Sequence, residues 1–243
     1  MIEAQQPAGN PANNRWAMKM NWHDLLFMHW PVPVNLLRPL IPAALEVDTF
    51  DGEAWIGVVP FRMTDVRPRF VPSVSYLSDF PEINVRTYVR KGGRSGVWFF
   101  SLDAANRLAV RVARRTFALP YYDARMSVEN VGEAIDYDSV RVHHAAPSAN
   151  FKGRYQPSGD VYHANENDLD YWLTERYCLY AADRHGRIYR SDIRHQRWPL
   201  QSAEADCELN TMTEQLGFEL PRTKPLLHFA KRLEVLAWRP RLD

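Results

Sequence analysis

In the run FPEINVRTYV, residues 80 to 89, the two-residue period of an extended chain puts Glu82, Asn84, Arg86 and Tyr88 on one face and Ile83, Val85, Thr87 and Val89 on the other. A carboxyl, an amide and a guanidinium on one face can hold an anionic organic molecule, with the arginine anchoring its charged group and the carboxyl acting as acid or base. Glu82 and Arg86 stand about 13 Å apart along an extended backbone, too far for a direct ion pair. Each needs another partner. That partner is either a ligand or a buried structural network, and the strand alone leaves both open because buried charge is costly in either case.

The segment KGGRSGVWFFSLD that follows reads as a tight turn at Gly92 and Gly93 and a partner strand. With that turn Ile83 faces Leu102, Val85 faces Phe100 and Thr87 faces Trp98, while Glu82 falls opposite Asp103, Asn84 opposite Ser101 and Arg86 opposite Phe99. Such a mixture suits the wall of a cavity better than an open surface. Two neighbouring carboxyls raise one pKa, which keeps a general acid protonated near neutral pH. Glu82 and Asp103 are therefore the candidate catalytic pair, and Asn84 and Arg86 the candidate ligand contacts. Asp103 has a competing role as N-cap of the helix after it. From Glu175, Arg176 and Tyr177 the candidate ligand contact is Arg176, since alternate residues of a strand point apart.

Other chemistries find no support. The eight histidines make no HExxH or comparable metal pattern, and Cys178 and Cys207 belong to no CxxC. GGRSG misses the spacing of a nucleophile elbow and sits at a hairpin, which argues against a hydrolase triad. Without GxGxxG or a P-loop, nothing calls for a nucleotide, and no other cofactor is implied.

Several elements must position these residues. A strongly apolar stretch from Trp22 to Trp30 leads to a short proline-bounded helix in PVPVNLLRPLIP, and AWIGVVPF reads as a strand. Residues 62 to 80, with their prolines and mixed polarity, read as a long loop over the cavity mouth, of the kind that serves as a lid. AANRLAVRVARR is an amphipathic helix with Ala105, Leu108, Ala109 and Val112 on one face and Arg107, Arg111, Arg114 and Arg115 on the other. ARMSVEN, AIDYDSVRVHH and ANFKGRYQP form an antiparallel meander. A short helix capped by Asp168 then precedes the hairpin RYCLYAAD and RIYRSDIRH. Residues 200 to 217 are ambiguous, and LLHFAKRLEVLAW is a last strand.

Apolar residues make up 46% of the chain, enough for a sizeable core, and 30 basic against 29 acidic residues leave a net charge of +1 that demands neither nucleic acid nor an anionic membrane. The cysteine count fits a reducing cytoplasm, and no stretch approaches the ~20 apolar residues of a membrane-spanning helix. Residues 1 to 15 read as a flexible tail before one domain over 16 to 243. Curved sheets with exposed edges suit a homodimer.

Taken in order, MNWHDLLFMHWPVPVNLLRPLIP, DTFDGEAWIGVVPFRM, FPEINVRTYV, GVWFFSLDA, ARRTFALPYYDARM, LTERYCLY and HQRWPL resemble the signature blocks of the YqjF-like family of uncharacterised bacterial proteins, over nearly all of residues 20 to 240. That family is similar in fold to acetoacetate decarboxylase. The resemblance implies a mainly β protein with a few helices (α+β), built as a curved antiparallel β-barrel or double sheet around an interior ligand cavity. The decarboxylase forms a Schiff base through a lysine whose pKa is depressed by a second lysine beside it and by desolvation. By resemblance, those paired lysines fall on LPYYDA, where Tyr121 and Tyr122 follow Pro120. A phenol cannot form an iminium. The resemblance thus implies fold and cavity without that chemistry, and Tyr121 and Tyr122 enter either as phenolic donors to a ligand or as ordinary wall residues.

The leading expectation is a barrel that binds a small anionic organic molecule, as a binding protein or as an enzyme acting without a Schiff base. One alternative is a keto-acid lyase with a relocated lysine, for which Lys231 in LHFAKRLEV is the candidate. The other is a structural or interaction protein with no ligand.

Overall fold

The computed structural model describes residues 15–74 and 78–243, so most of the expected tail and part of the expected lid lie outside the described residues. The strands are β1 (Met18–Val32), β2 (Glu46–Val47), β3 (Ala54–Pro68), β4 (Phe80–Lys91), β5 (Arg94–Ala104), β6 (Tyr121–Val131) and β7 (Ala134–Arg141). They continue with β8 (Asn150–Tyr162), β9 (Cys178–Ala182), β10 (Ile188–Arg194), β11 (Leu200–Asn210), β12 (Leu226–Ala237) and β13 (Arg241–Leu242). Between them lie the helices α1 (Val34–Leu37), α2 (Arg107–Phe117) and α3 (Leu169–Thr174). The fold is mainly β with few helices, and none of the described helices is long and apolar enough to cross a membrane.

β1 is apolar throughout its middle because both of its faces are buried. Leu25 and Phe27 pack with Val59, Phe61 and Leu233, whereas Leu26, Met28 and Trp30 pack with Ile56, Val58 and Val85. β4 shares the second cluster through Ile83, Val85 and Val89. On its other face, where the first cluster would lead one to expect aliphatic side chains, it carries Glu82, Asn84 and Arg86.

One sheet joins the strands in the order β13-β10-β9-β5-β6-β7-β8-β11-β12-β1-β3-β4-β2, with β4 also paired to β5 and β10 to β12. Through these extra pairings the hydrogen bonding returns on itself in a shorter circuit, β12-β1-β3-β4-β5-β9-β10, and a longer one in which β6, β7, β8 and β11 replace β9 and β10. The sheet is not wholly antiparallel as expected: β5 runs parallel to both β6 and β9. Parallel neighbours need a crossover, and α2 supplies it between β5 and β6, which brings the helix across one face of the sheet.

Three local expectations are corrected. Residues 62 to 68 are the far end of β3 and not loop; the pairing with β1 slips where Asp65 adopts φ 54°, and the resulting bulge hides the alternation. α2 is capped by Asn106, whose side chain accepts from the amides of Leu108 and Ala109, and not by Asp103. Asp168 stands at the N-cap position of α3, but its carboxylate accepts from Asn165 and makes no cap bond. The ambiguous stretch resolves as β11 and a short 3-10 turn at Glu214–Leu216.

Gly96 of β5 sits where a Cβ would come within 2.8 Å of Cys178 Sγ and 2.9 Å of the Cys178 carbonyl oxygen in β9. A backbone atom cannot yield as a side-chain tip can. We expect Gly96→Ala to lower stability by about 1–3 kcal/mol, read as a reduced urea midpoint at unchanged slope. Wild-type stability in that variant would mean that β9 is not held so close.

Candidate functional site

Every strand of the shorter circuit contributes to the wall of a cavity of about 370 Å³, among them Val235 of β12, Trp22 of β1, Phe61 of β3, Phe99 of β5, Leu179 of β9 and Ile193 of β10. α2 covers part of it through Ala109 and Val112. Into this largely apolar space β4 presents Glu82, Asn84 and Arg86 at alternate positions, and β6 presents Tyr121.

Glu82 is 3% exposed, and the Tyr121 hydroxyl donates to its Oε2 at 2.9 Å. Burial drives its carboxyl up to about 8, and the nearby Asp103 charge adds to this, while hydrogen bonds from Tyr121 and Asn84 oppose it. At neutral pH the group is thus mostly a neutral acid with a proton to donate. The backbone beneath is pinned by Tyr137, whose hydroxyl donates to the Glu82 carbonyl oxygen at 2.8 Å. The Tyr121 phenol is held neutral, well above its ordinary range, by burial and by the Glu82 charge. Asn84 is buried, and among the described residues its Oδ1 has no hydrogen-bond partner.

Arg86 is half-buried, its guanidinium lies 5.1 Å from the Phe27 ring centre and 5.9 Å from that of Tyr88, whose hydroxyl it also hydrogen-bonds, and among the described residues its Nε has no hydrogen-bond partner. Among the described residues no carboxylate pairs with it, whereas other arginines of the interior are paired. Arg141 grips Asp103 through two bonds of 2.6 and 2.7 Å, and Arg176 Nη1 meets Asp48 at 2.7 Å.

The remaining candidates fall elsewhere. Past Thr87 and Arg86, which face Trp98 and Phe99 as expected, the β4–β5 register shifts by one residue so that Val85 meets Ser101, Ile83 meets Asp103 and Glu82 meets Ala104. Phe100 is the extra residue. The shift carries Asp103 off the Glu82 face, where it is locked by Arg141 outside the cavity wall, so it is not a partner acid facing the ligand space. Tyr122 points away from Tyr121, edge-on to His143 at 5.5 Å and under Arg141 at 4.1 Å, also outside the wall. Arg176 does border the cavity, but from the turn after α3 and not from a strand. Asp48 and the rings of Trp172 and Tyr88, 4.2 and 4.8 Å away, hold it in place.

The sequence reading missed His195 and Trp198. Both line the cavity. His195 is pushed down by burial, its Nδ1 is 2.7 Å from the Gln196 carbonyl oxygen and its ring stacks on Tyr177. The Trp198 amide donates to Glu175 at 2.8 Å. The block HQRWPL was visible, but in a segment without regular structure no period says which side chains turn inward. Lys231 is 71% exposed and bonded to Asp24 at 2.6 Å, and none of Lys19, Lys91, Lys152, Lys224 and Lys231 borders the cavity. Among the described residues no three His, Cys, Asp or Glu side chains converge as a metal site would require.

This mainly β fold is similar to that of the acetoacetate decarboxylases. The crystal structure of the enzyme from Legionella pneumophila matches with a TM-score of 0.67 at 10% identity, over 98% of this chain and 93% of that one. The enduracididine biosynthesis enzyme MppR, complexed with pyruvate, matches with a TM-score of 0.63 at 11% identity, over 97% and 94% of the two chains. Identities so low speak for the fold alone. By sequence the chain belongs to the DUF2071 family, described as an uncharacterized conserved protein, whose model matches residues 19–234. The uncharacterized protein YqjF of Bacillus subtilis is 48% identical over 223 residues, 92% of this chain and 91% of that relative.

The Glu82 environment has a measurable consequence. In the unfolded chain this carboxyl ionises near 4.5 and in the folded one at about 8, so between those values the unfolded state binds fewer protons. The stability it allows is complete below the lower value and is lost as pH rises through the upper one, by at most about 1.4 kcal/mol per pH unit. Glu82→Gln should flatten the unfolding free energy across that window, gaining on the wild type as pH rises. Parallel pH profiles would mean that Glu82 is ionised throughout.

Proposed function

We propose that this protein binds a small organic carboxylate in the β4 cavity, with Arg86 as anchor and Glu82 as the group that holds and transfers a proton. The observation that carries this reading is a guanidinium beside an apolar cavity with no carboxylate partner among the described residues, since such a charge calls for an anion from outside. Asn84 Oδ1 and the Tyr121 hydroxyl stand beside the same space, and each can orient a ligand's donor or carbonyl group. The pyruvate held by MppR, in a like fold, supports a keto acid as the ligand type. In this reading the shorter strand circuit acts as the wall of a barrel.

Any reaction here would use Glu82 as proton donor to a bound carbonyl or enolate oxygen, with no covalent attachment. The relocated-lysine alternative loses its candidate, because Lys231 lies outside on Asp24.

Calorimetric titration with a panel of keto acids tests the anchor. Arg86→Ala should weaken binding by about 30-fold or more, as loss of a desolvated charge-assisted contact costs ~2–5 kcal/mol, whereas Arg111→Ala on the exposed face of α2 should change it less than about threefold. Equal losses would make the role of Arg86 structural.

Borohydride treatment with acetoacetate, followed by intact mass measurement, should yield no reduced adduct, because a Schiff base needs a desolvated amine at the cavity and no lysine borders it. An adduct on Lys231 would restore the lyase reading.

A further inference from the structure

Beside the polar stripe of β4 and the scattered polar groups of Arg67, Arg176 and His195, most of the cavity wall is made of large apolar side chains, among them Met20, Trp22, Phe61, Met63, Phe99 and Phe117. Its volume of about 370 Å³ lies in the range that encloses drug-sized ligands, far more than the few heavy atoms of pyruvate or acetoacetate occupy. The apolar wall also continues outward: Val71 and Val74 of the segment after β3, and Leu108 and Val112 of α2, border the cavity and are at the same time exposed. Exposed aliphatic groups on two elements that both border the cavity, contiguous with an apolar interior, form a mouth that a polar ligand would not require. On α2 this happens because Leu108, Ala109, Val112 and Ala113 border the cavity, whereas Arg107, Arg111 and Arg114 do not.

We infer that the ligand is an amphipathic monocarboxylate, a carboxylate on a straight or aromatic apolar body of medium length, with its head at Arg86 and its body directed to the mouth between α2 and residues 71 to 74. This rests on the reading of Arg86 as a carboxylate anchor and adds the apolar body. A short keto acid would satisfy Arg86 and leave most of the wall in contact with water. Each methylene added along the apolar wall should instead strengthen binding by about fourfold until the body reaches the mouth.

The test is calorimetric titration of the wild type, Arg86→Ala and Val112→Asp with pyruvate and with straight-chain carboxylates from acetate to decanoate, alongside octanol. Val112 is exposed, so an aspartate there leaves the core untouched. The inference expects affinity to climb with chain length and to saturate. Arg86→Ala should weaken every acid by a similar factor and leave octanol unchanged, and Val112→Asp should weaken the longest acids while sparing the short ones. Pyruvate and acetate binding that depends on Arg86, with no gain from added methylenes, would overturn the amphipathic ligand and leave the anchor standing. A gain with length that is indifferent to Arg86→Ala would overturn the anchor, and the inferred carboxylate with it. Absence of binding by the whole series would overturn both.

Discussion

The structure depends on β5 serving three neighbours at once. One edge pairs with β4 along its length, while the other meets β9 at Val97 and Trp98 and β6 from Leu102 to Ala104. A flat strand cannot serve two diverging partners. The extra residue at Phe100 falls between the two halves, bending the strand and raising its twist. Both circuits pass through β5, so the cavity exists because this strand forks. The parallel pairing to β6 also requires the crossover that lays α2 over the cavity.

The same extra residue sorts the charges. Before it, Phe99 and Thr87's partner Trp98 keep the simple hairpin register; beyond it, every side chain of β5 is turned over. Asp103 leaves the face of Glu82 and meets Arg141 in a buried two-bond pair, which would cost about 3–5 kcal/mol to break from one side. Glu82 is left as the acidic group of β4 in an apolar setting, close enough to Asp103 to feel its charge but not to share a ligand with it. A neutral acid and an arginine with no carboxylate partner among the described residues are a poor arrangement for stability alone. Asp103 with Arg141 and Asp48 with Arg176 show how the interior of this fold neutralises charge where rigidity is the need. The contrast with Arg86 is the observation on which the proposed role of the β4 stripe rests.

Much was legible in the chain. Period-two alternation marked the face of β4 that carries Glu82, Asn84 and Arg86, because a half-buried strand must alternate whatever its partners, while turn residues between strand candidates located the β6–β7–β8 meander and strong β character located β12. The amphipathic pattern marked α2, and the Gly92–Gly93 turn set the first pairs of the hairpin correctly. These are local properties, each written within a dozen residues.

What only the tertiary structure decided involves contacts between residues far apart in sequence. No local pattern announces the extra residue at Phe100, since the need for it arises from β6 and β9 competing for one edge; hence Asp103 and Tyr122 could not be excluded from the cavity beforehand. Strand β3 ran on past Arg62 because β1 was there to pair with it, bulge included. His195 and Trp198 reach the wall from an irregular segment, and Arg176 proves to be committed only once Asp48, 128 positions away, is seen beside it. The sequence by itself determined which side chains share a face, because the geometry of one strand dictates that. Which faces enclose a space, and which charges inside it find partners, followed from closing the sheet.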